Sequence, residues 1–158
     1  MNYLLQDFNQ SLVECLEQGA RLLKKYKRIV LVYDPISTPH PDVIVEAVGG
    51  FCKKHDLQFK TIDRIHSDWV ETNTAYFVIR DADLVEVIKT CRTRNYELGK
   101  AVGVLSYNET PMKQIVGGGI TVISTNFEEM GREAAMFVKN KKKIARVLAT
   151  SLILRESI

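Results

Sequence analysis

Short strand-like runs and longer amphipathic stretches take turns along this chain, and that alternation limits the possible folds more than any other feature. RIVLVYD (28–34), TAYFVI (74–79), AVGVLS (101–106) and ITVIS (120–124) are near-continuous apolar runs, as expected of strands buried on both faces, and LQFKTI (57–62) is a further, more polar strand. Helical patterns lie between them. From Phe8 to about Leu23, the residues Phe8, Leu12, Cys15, Leu16, Leu22 and Leu23 recur near helical spacing, with Asp7 or Asn9 available as N-cap. A second helix is expected from Pro41 to His55, with the proline suited to its first turn. A third covers ADLVEVIKTCRTRNY with Gly99 behind it, MKQIV is a short one, and a last runs from Phe127 to about Asn140. This order implies a mainly parallel sheet with helices on both faces, so the expected fold class is α/β, a three-layer α/β/α sandwich.

Open sheets of this kind bind ligands at the carboxyl ends of their strands. That rim would carry Asp34 after RIVLVY, Arg80 and Asp81 after TAYFVI, and Asn108 and Glu109 after AVGVLS. The planar amide of Asn108 both donates and accepts, which matches a hydroxyl that does the same, and Arg80 can fork to two acceptors. Asp81 either joins this set or simply caps its helix. Trp69, the sole tryptophan, stands in a polar loop with His66 and Asp68; it either covers a core edge or offers an apolar face to a sugar ring. LLQDFNQSLVECL and ISTNFEEMGREAA repeat one strand, cap and helix pattern around Asp7-Phe8 and Asn126-Phe127, which suggests two crossings of one structural boundary.

Other chemistries lack their residues. A receiver domain needs an acidic pair for magnesium and a lysine after its last strand, but Asp34-Pro35 stands alone and ITVIS is followed by Thr125-Asn126. Gly117-Gly118-Gly119 precedes a strand instead of opening a helix, so it reads as a turn and not as a phosphate cradle. His40, His55 and His66 have no zinc spacing, and no serine sits in a nucleophile elbow. No catalytic constellation remains, and neither a metal, a cofactor nor an enzymatic activity is expected. The 158 residues suit one domain, and no apolar run approaches the ~20 residues of a membrane-spanning helix. MNYLLQDFNQ has no basic start and meets Asp7 early, so no secretory signal and a cytoplasmic location are expected. Cys15, Cys52 and Cys91 form no CxxC pair and read as buried, reduced thiols. The net charge of +3 is gathered in LLKKYKR and KNKKKIAR, which look like solvated helix ends without the interleaved aromatics of a single-strand platform.

Four motifs follow one another from residue 77 to 157: FVIRDADLVEVIK, GKAVGVLSYNETP, ITVISTNFEEMGREAAMFV and LILRES. In this order they resemble the effector-binding domain of lactose-repressor (LacI) type regulators, which has the type I periplasmic-binding-protein fold. The first half is similar too, through YLLQDFNQSL, LKKYKRIVLVY and Gly50-Phe51. Ala47 stands where the family's helix carries an arginine to the sugar, and Asn108-Glu109 stand where it has paired aspartates. The stretch between LQFKTI and TAYFVI is shorter than the family's usual helix. The wording SYNETP and ISTNFEEMG is similar to versions of this domain found behind a winged-helix module in gluconate-repressor (GntR) type regulators.

The resemblance implies a sensor of a small-molecule effector, a sugar, with Asn108, Asp81, Arg80 and Trp69 as effector-binding residues. It implies that residues 1–158 are the C-terminal lobe and the crossover segments of such a domain. The N-terminal lobe and the DNA-binding module would then lie outside this chain. A homodimer is the expected assembly, DNA would be bound only through the missing module, and no membrane partner is implied. A transport-type sugar-binding protein and a small receiver-like signalling domain stay open as alternatives.

Overall fold

The structure, a computed structural model, describes residues 1–38, 40–141 and 143–158. In chain order its elements are β1 (Tyr3–Gln6), α1 (Gln10–Gln18), α2 (Ala20–Leu23), β2 (Arg28–Val32), α3 (Val43–Lys54), β3 (Gln58–Ile62), β4 (Thr74–Val78), α4 (Asp81–Arg94), β5 (Val102–Tyr107), β6 (Thr121–Thr125), α5 (Phe127–Asn140), β7 (Ala145–Leu148) and β8 (Thr150–Ile153). Among the described residues the strands make a six-stranded sheet in the order β3-β2-β4-β5-β6-β8 and a two-stranded one, β1-β7. All neighbours are parallel except β6 and β8. The last apolar run, expected as one segment, is therefore two strands in two sheets.

Alternate residues of each central strand serve opposite layers, because successive side chains of a strand point to opposite faces. Ile29, Leu31, Phe77, Leu105 and Ile123 meet α1, α2 and α3 on one side. Val30, Val32, Tyr76, Val78, Val104 and Val122 face the other, where Leu84, Val87, Ile88 and Cys91 of α4 cover them. Every residue of β4 and of β5 is buried, which explains their near-continuous apolar sequences. The three cysteines are free and buried, and burial raises their thiol pKa values, that of Cys52 to about 11.

The expected helix from Phe8 to Leu23 is two helices with Gly19 between them. Asp7 holds its start, since its carboxylate accepts the N–H groups of Asn9 and Ser11 at 2.9 and 3.0 Å. Asn126 does the same for α5 by accepting from Glu129 N–H at 3.0 Å. The repeated sequence pattern thus marks two passages, from β1 of the small sheet into α1 on the main sheet, and from β6 of the main sheet into α5. That helix leans toward the small sheet through Arg146 of β7, which pairs with Glu129 and Glu133 at 3.0 and 2.6 Å. Its amphipathic sequence finds no core, for none of its described residues is buried.

The ending Arg155-Glu156-Ser157 fastens β5 to β6 where their ladder is short. Ser157 Oγ accepts from Thr121 N–H at 2.8 Å and donates to the Val104 carbonyl at 2.6 Å, and Val104 N–H donates to the Ser157 carbonyl at 2.7 Å. Gly99 allows this passage, since a Cβ there would stand 1.9 Å from the Glu156 carbonyl oxygen. Helix α4 itself stops earlier, at Asn95 in the left-handed region. MKQIV, expected as a short helix, is a 3-10 turn over Pro111–Gln114, and Gly117 to Gly119 form a turn with positive φ at all three.

Gly103 in β5 lies under the ring of buried Tyr26, and a Cβ at 103 would be 2.6 Å from Tyr26 Cζ. Gly103→Ala is expected to lower stability by about 1–3 kcal/mol, the usual cost of overpacking a filled core. A urea-denaturation midpoint equal to that of the parent chain would refute this contact.

Candidate functional site

The carboxyl ends of β2, β4, β5 and β6 make a polar rim, and its sharpest corner follows β5. Asn108 has φ 64°, a left-handed conformation that asparagine tolerates better than most residues. Its N–H donates to the Ile123 carbonyl at 2.8 Å, which keeps it tied to β6, while its side-chain Oδ1 is buried and has no hydrogen-bond partner among the described residues. Glu109 follows with N–H donated to Ser124 Oγ at 2.9 Å and its carboxylate paired with the Arg155 guanidinium. The amide therefore makes the turn, and the acid anchors the turn to the closing segment.

Beneath this corner lies Lys113, in the segment MKQIV expected as a short helix. It is only 2% exposed, and its ammonium donates to the carbonyls of Tyr107 and Asn108 at 3.0 and 2.9 Å. The same Nζ stands 3.3 Å from Asp81 Oδ1, so Lys113 joins the start of α4 to the end of β5. Apolar spacing could not reveal it. The usable signal was the tight corner, whose inward-turned carbonyls need a donor in a nearby segment. Asp81 is not the N-cap of α4; that position is Arg80, without a side-chain cap bond, and Asp81 opens the first turn with a largely exposed carboxylate. Aspartate there suits the positive end of the helix dipole.

Arg80 binds three rim segments together. Its Nε donates to Asp83 at 2.8 Å, one terminal nitrogen to Ser37 Oγ at 3.0 Å and the other to the Asp63 carbonyl at 2.9 Å. The Asp83 carboxylate beside it raises the guanidinium pKa further. Asp34 points to the same loop, where the Ser37 hydroxyl and Ile36 N–H hold its carboxyl below the usual range. Asp34, Ser37, Arg64, His66 and Arg80 line one open pocket of this rim. Nearby, His40 is buried edge-on to Tyr107 at 4.3 Å and to Phe8 at 5.2 Å; burial lowers its pKa, and neither ring nitrogen has a partner among the described residues.

The structure thus gathers Asp81 and Asn108 about Lys113 and sets Arg80 beside Asp81 in the same turn. It sets Trp69 apart. That residue lines a different groove with Arg28, Lys60 and Glu71, on the α4 face of the sheet, and its ring meets His66 at 4.3 Å. Among the described residues no group of three or more His, Cys, Asp or Glu side chains is arranged to hold a metal, and no helix is long and apolar enough to cross a membrane. The rim can do what neutral polar recognition requires, offering an unpaired acceptor, guanidinium N–H groups and a carboxylate on a fixed frame.

Known proteins resemble this chain in sequence and in fold. Residues 22–158 match the family described as periplasmic binding protein-like domain. The HTH-type transcriptional regulator KdgR of Bacillus subtilis is 21% identical over 128 residues, covering 70% of this chain and 38% of the regulator. The LacI family transcriptional regulator of Arthrobacter sp. FB24, solved in complex with lactose, has a TM-score of 0.71 at 14% identity, covering 99% of this chain and 66% of its own. That of Enterococcus faecalis V583, with bound ribose, gives 0.71 at 16%, covering 99% and 62%. A periplasmic binding protein/LacI regulator of Alkaliphilus metalliredigens with D-xylulofuranose gives 0.69 at 14%, covering 94% and 64%. The chain spans well under half of the regulator and about two thirds of the structures.

Replacing Lys113 by methionine removes a charged donor from two inward-facing carbonyls. The expected cost is about 1.5–3 kcal/mol, the range for hydrogen bonds involving a charged group. Thermal denaturation measures it, and a melting temperature unchanged from the parent would show that the corner stands without Lys113.

Proposed function

The chain belongs to the periplasmic binding protein-like domain family, and on that premise we propose that it is the effector-sensing part of a transcriptional regulator, with a neutral sugar as effector. The observation that carries the proposal is the rim corner. Among the described residues Asn108 Oδ1 is buried without a hydrogen-bond partner, on a turn whose main-chain carbonyl shares the Lys113 ammonium with Asp81, and a desolvated acceptor of this kind costs free energy until a donor reaches it. A sugar hydroxyl supplies that donor and accepts in return from the Asn108 amide or from Arg80. The structural relatives carrying lactose, ribose and D-xylulofuranose support a saccharide over a charged ligand. The sequence relative, a transcriptional regulator, supports sensing over transport and over catalysis, and with it a cytoplasmic location.

In this reading a second lobe closes over the rim, and the small sheet and α5 belong to its base. Leu5, Val147, Met136 and Val138 all lie uncovered there, which is consistent with a covering partner. DNA is bound by a module outside residues 1–158, of helix-turn-helix or winged-helix type, and two copies pair to present two such modules. Effector binding then shifts the pair between DNA-competent and incompetent states to the extent that it prefers one of them. Trp69 is not needed at the rim.

Calorimetric titration of the full-length protein with ribose, glucose and lactose tests the proposal. One of them is expected to bind saturably, and Asn108→Ala to weaken that binding by about tenfold, the loss of one well-placed hydrogen bond. Unchanged affinity in Asn108→Ala removes the residue from the site, and absence of saturable heat with all three sugars overturns the choice of effector class.

A further inference from the structure

The groove beside Trp69 has the construction of a binding site in its own right. Its floor is Val30, Ile62 and Tyr76, side chains of β2, β3 and β4 that share the sheet face covered farther along by α4. Lys60 and Asp63 stand at its wall, and Trp69, with 51% of its surface exposed, forms its apolar side. The volume is about 490 Å³, within the usual range for small-molecule pockets.

The loop that carries Trp69 is fastened from several directions. The Tyr76 hydroxyl donates to the Trp69 carbonyl and accepts from Glu71 N–H, both at 2.9 Å. Arg94 donates to the Val70 carbonyl at 3.3 Å and to Asp68 at 3.4 Å, and Ile65 N–H donates to Asp83 at 3.0 Å. An exposed indole on a loop held this way offers its face without a further ordering cost when a ligand arrives.

The charges indicate which ligand. Arg28 is paired with Glu71 at 2.8 Å and bonded to Gln58 at 3.2 Å, and Asp68 is joined to Arg94. An anion entering the groove meets Asp63, Asp68 and Glu71, while a cation meets Lys60 and Arg28, so neither sign is favoured. A polyhydroxylated ring gains from both. Its C–H face covers the indole, and its hydroxyls accept from the Lys60 ammonium and donate to the Asp63 carboxylate.

We propose that the Trp69 groove is a second saccharide site, separate from the rim and taking a neutral sugar of one or two rings against the indole. It does not depend on the rim assignment. Trp69 is the chain's one tryptophan, so its emission reports this groove directly. Titrating the full chain with glucose, ribose and lactose is expected to give a saturable change in that emission with at least one of them. Lys60→Met and Asp63→Asn are each expected to weaken it about tenfold. Saturation-transfer NMR with the same sugar should lose its signal in Trp69→Ala and keep part of it in Trp69→Phe, which preserves a ring. Three results overturn the proposal. One is no saturable change with any of the sugars. The second is a change abolished by Asn108→Ala, which would place the sugar at the rim. The third is a change that follows protein concentration in the absence of sugar, which would make the groove a contact between two copies.

Discussion

Complete burial of β4 and β5 on both faces is the constraint from which the rest of this structure follows. Inside such strands every backbone group needs a partner, along the ladders or, at Val104, from Ser157, and nearly all the side chains are apolar to fill both layers. Polarity is therefore displaced to the places where the strands end. At the end of β5 the two carbonyls of Tyr107 and Asn108 turn toward a lysine that is itself buried, and the chain escapes through a left-handed asparagine. Glu109 and Arg155 then tie the exit to the closing segment, whose Ser157 also spans β5 and β6. The corner, the closing segment and the start of α4 are thus one connected polar frame around an apolar slab.

The slab was legible in the sequence because it depends on periodicity. RIVLVYD, TAYFVI, AVGVLS and ITVIS could hardly be anything but buried strands, and the helices between them carried readable faces and caps. The expected layers and the site of the rim follow from that alone. What the sequence concealed was non-local. Nothing in VLATSLIL shows that its halves join different sheets, since that depends on β1 lying beside β7 across most of the chain. Nothing in PMKQ shows a buried ammonium, because lysine is expected at a surface and its partners are main-chain atoms that carry no residue identity. Arg80 looked like a free fork; its engagement with Ser37, Asp63 and Asp83 depends on how three loops meet. The strand ends located the rim, but the frame beneath it became visible only in three dimensions.

The two faces of the main sheet are covered unequally, and chain length accounts for it. A five-residue strand is about 17 Å long, and a helix rising 1.5 Å per residue needs about eleven residues to return over that distance. Residues 63–73 offer no more than that between β3 and β4, with nothing left for the connections at either end. The chain returns by a loop with a single 3-10 turn at Ser67–Trp69. Tyr76, which a helix would have covered, turns its hydroxyl to that loop instead. The missing helix thus leaves a furrow along β2 and β3, and the largest side chain of the loop stands at its edge. On the opposite face, α1, α2 and α3 pack over the sheet and fill that layer. The same shortening that separates Trp69 from the rim is what gives it a groove of its own.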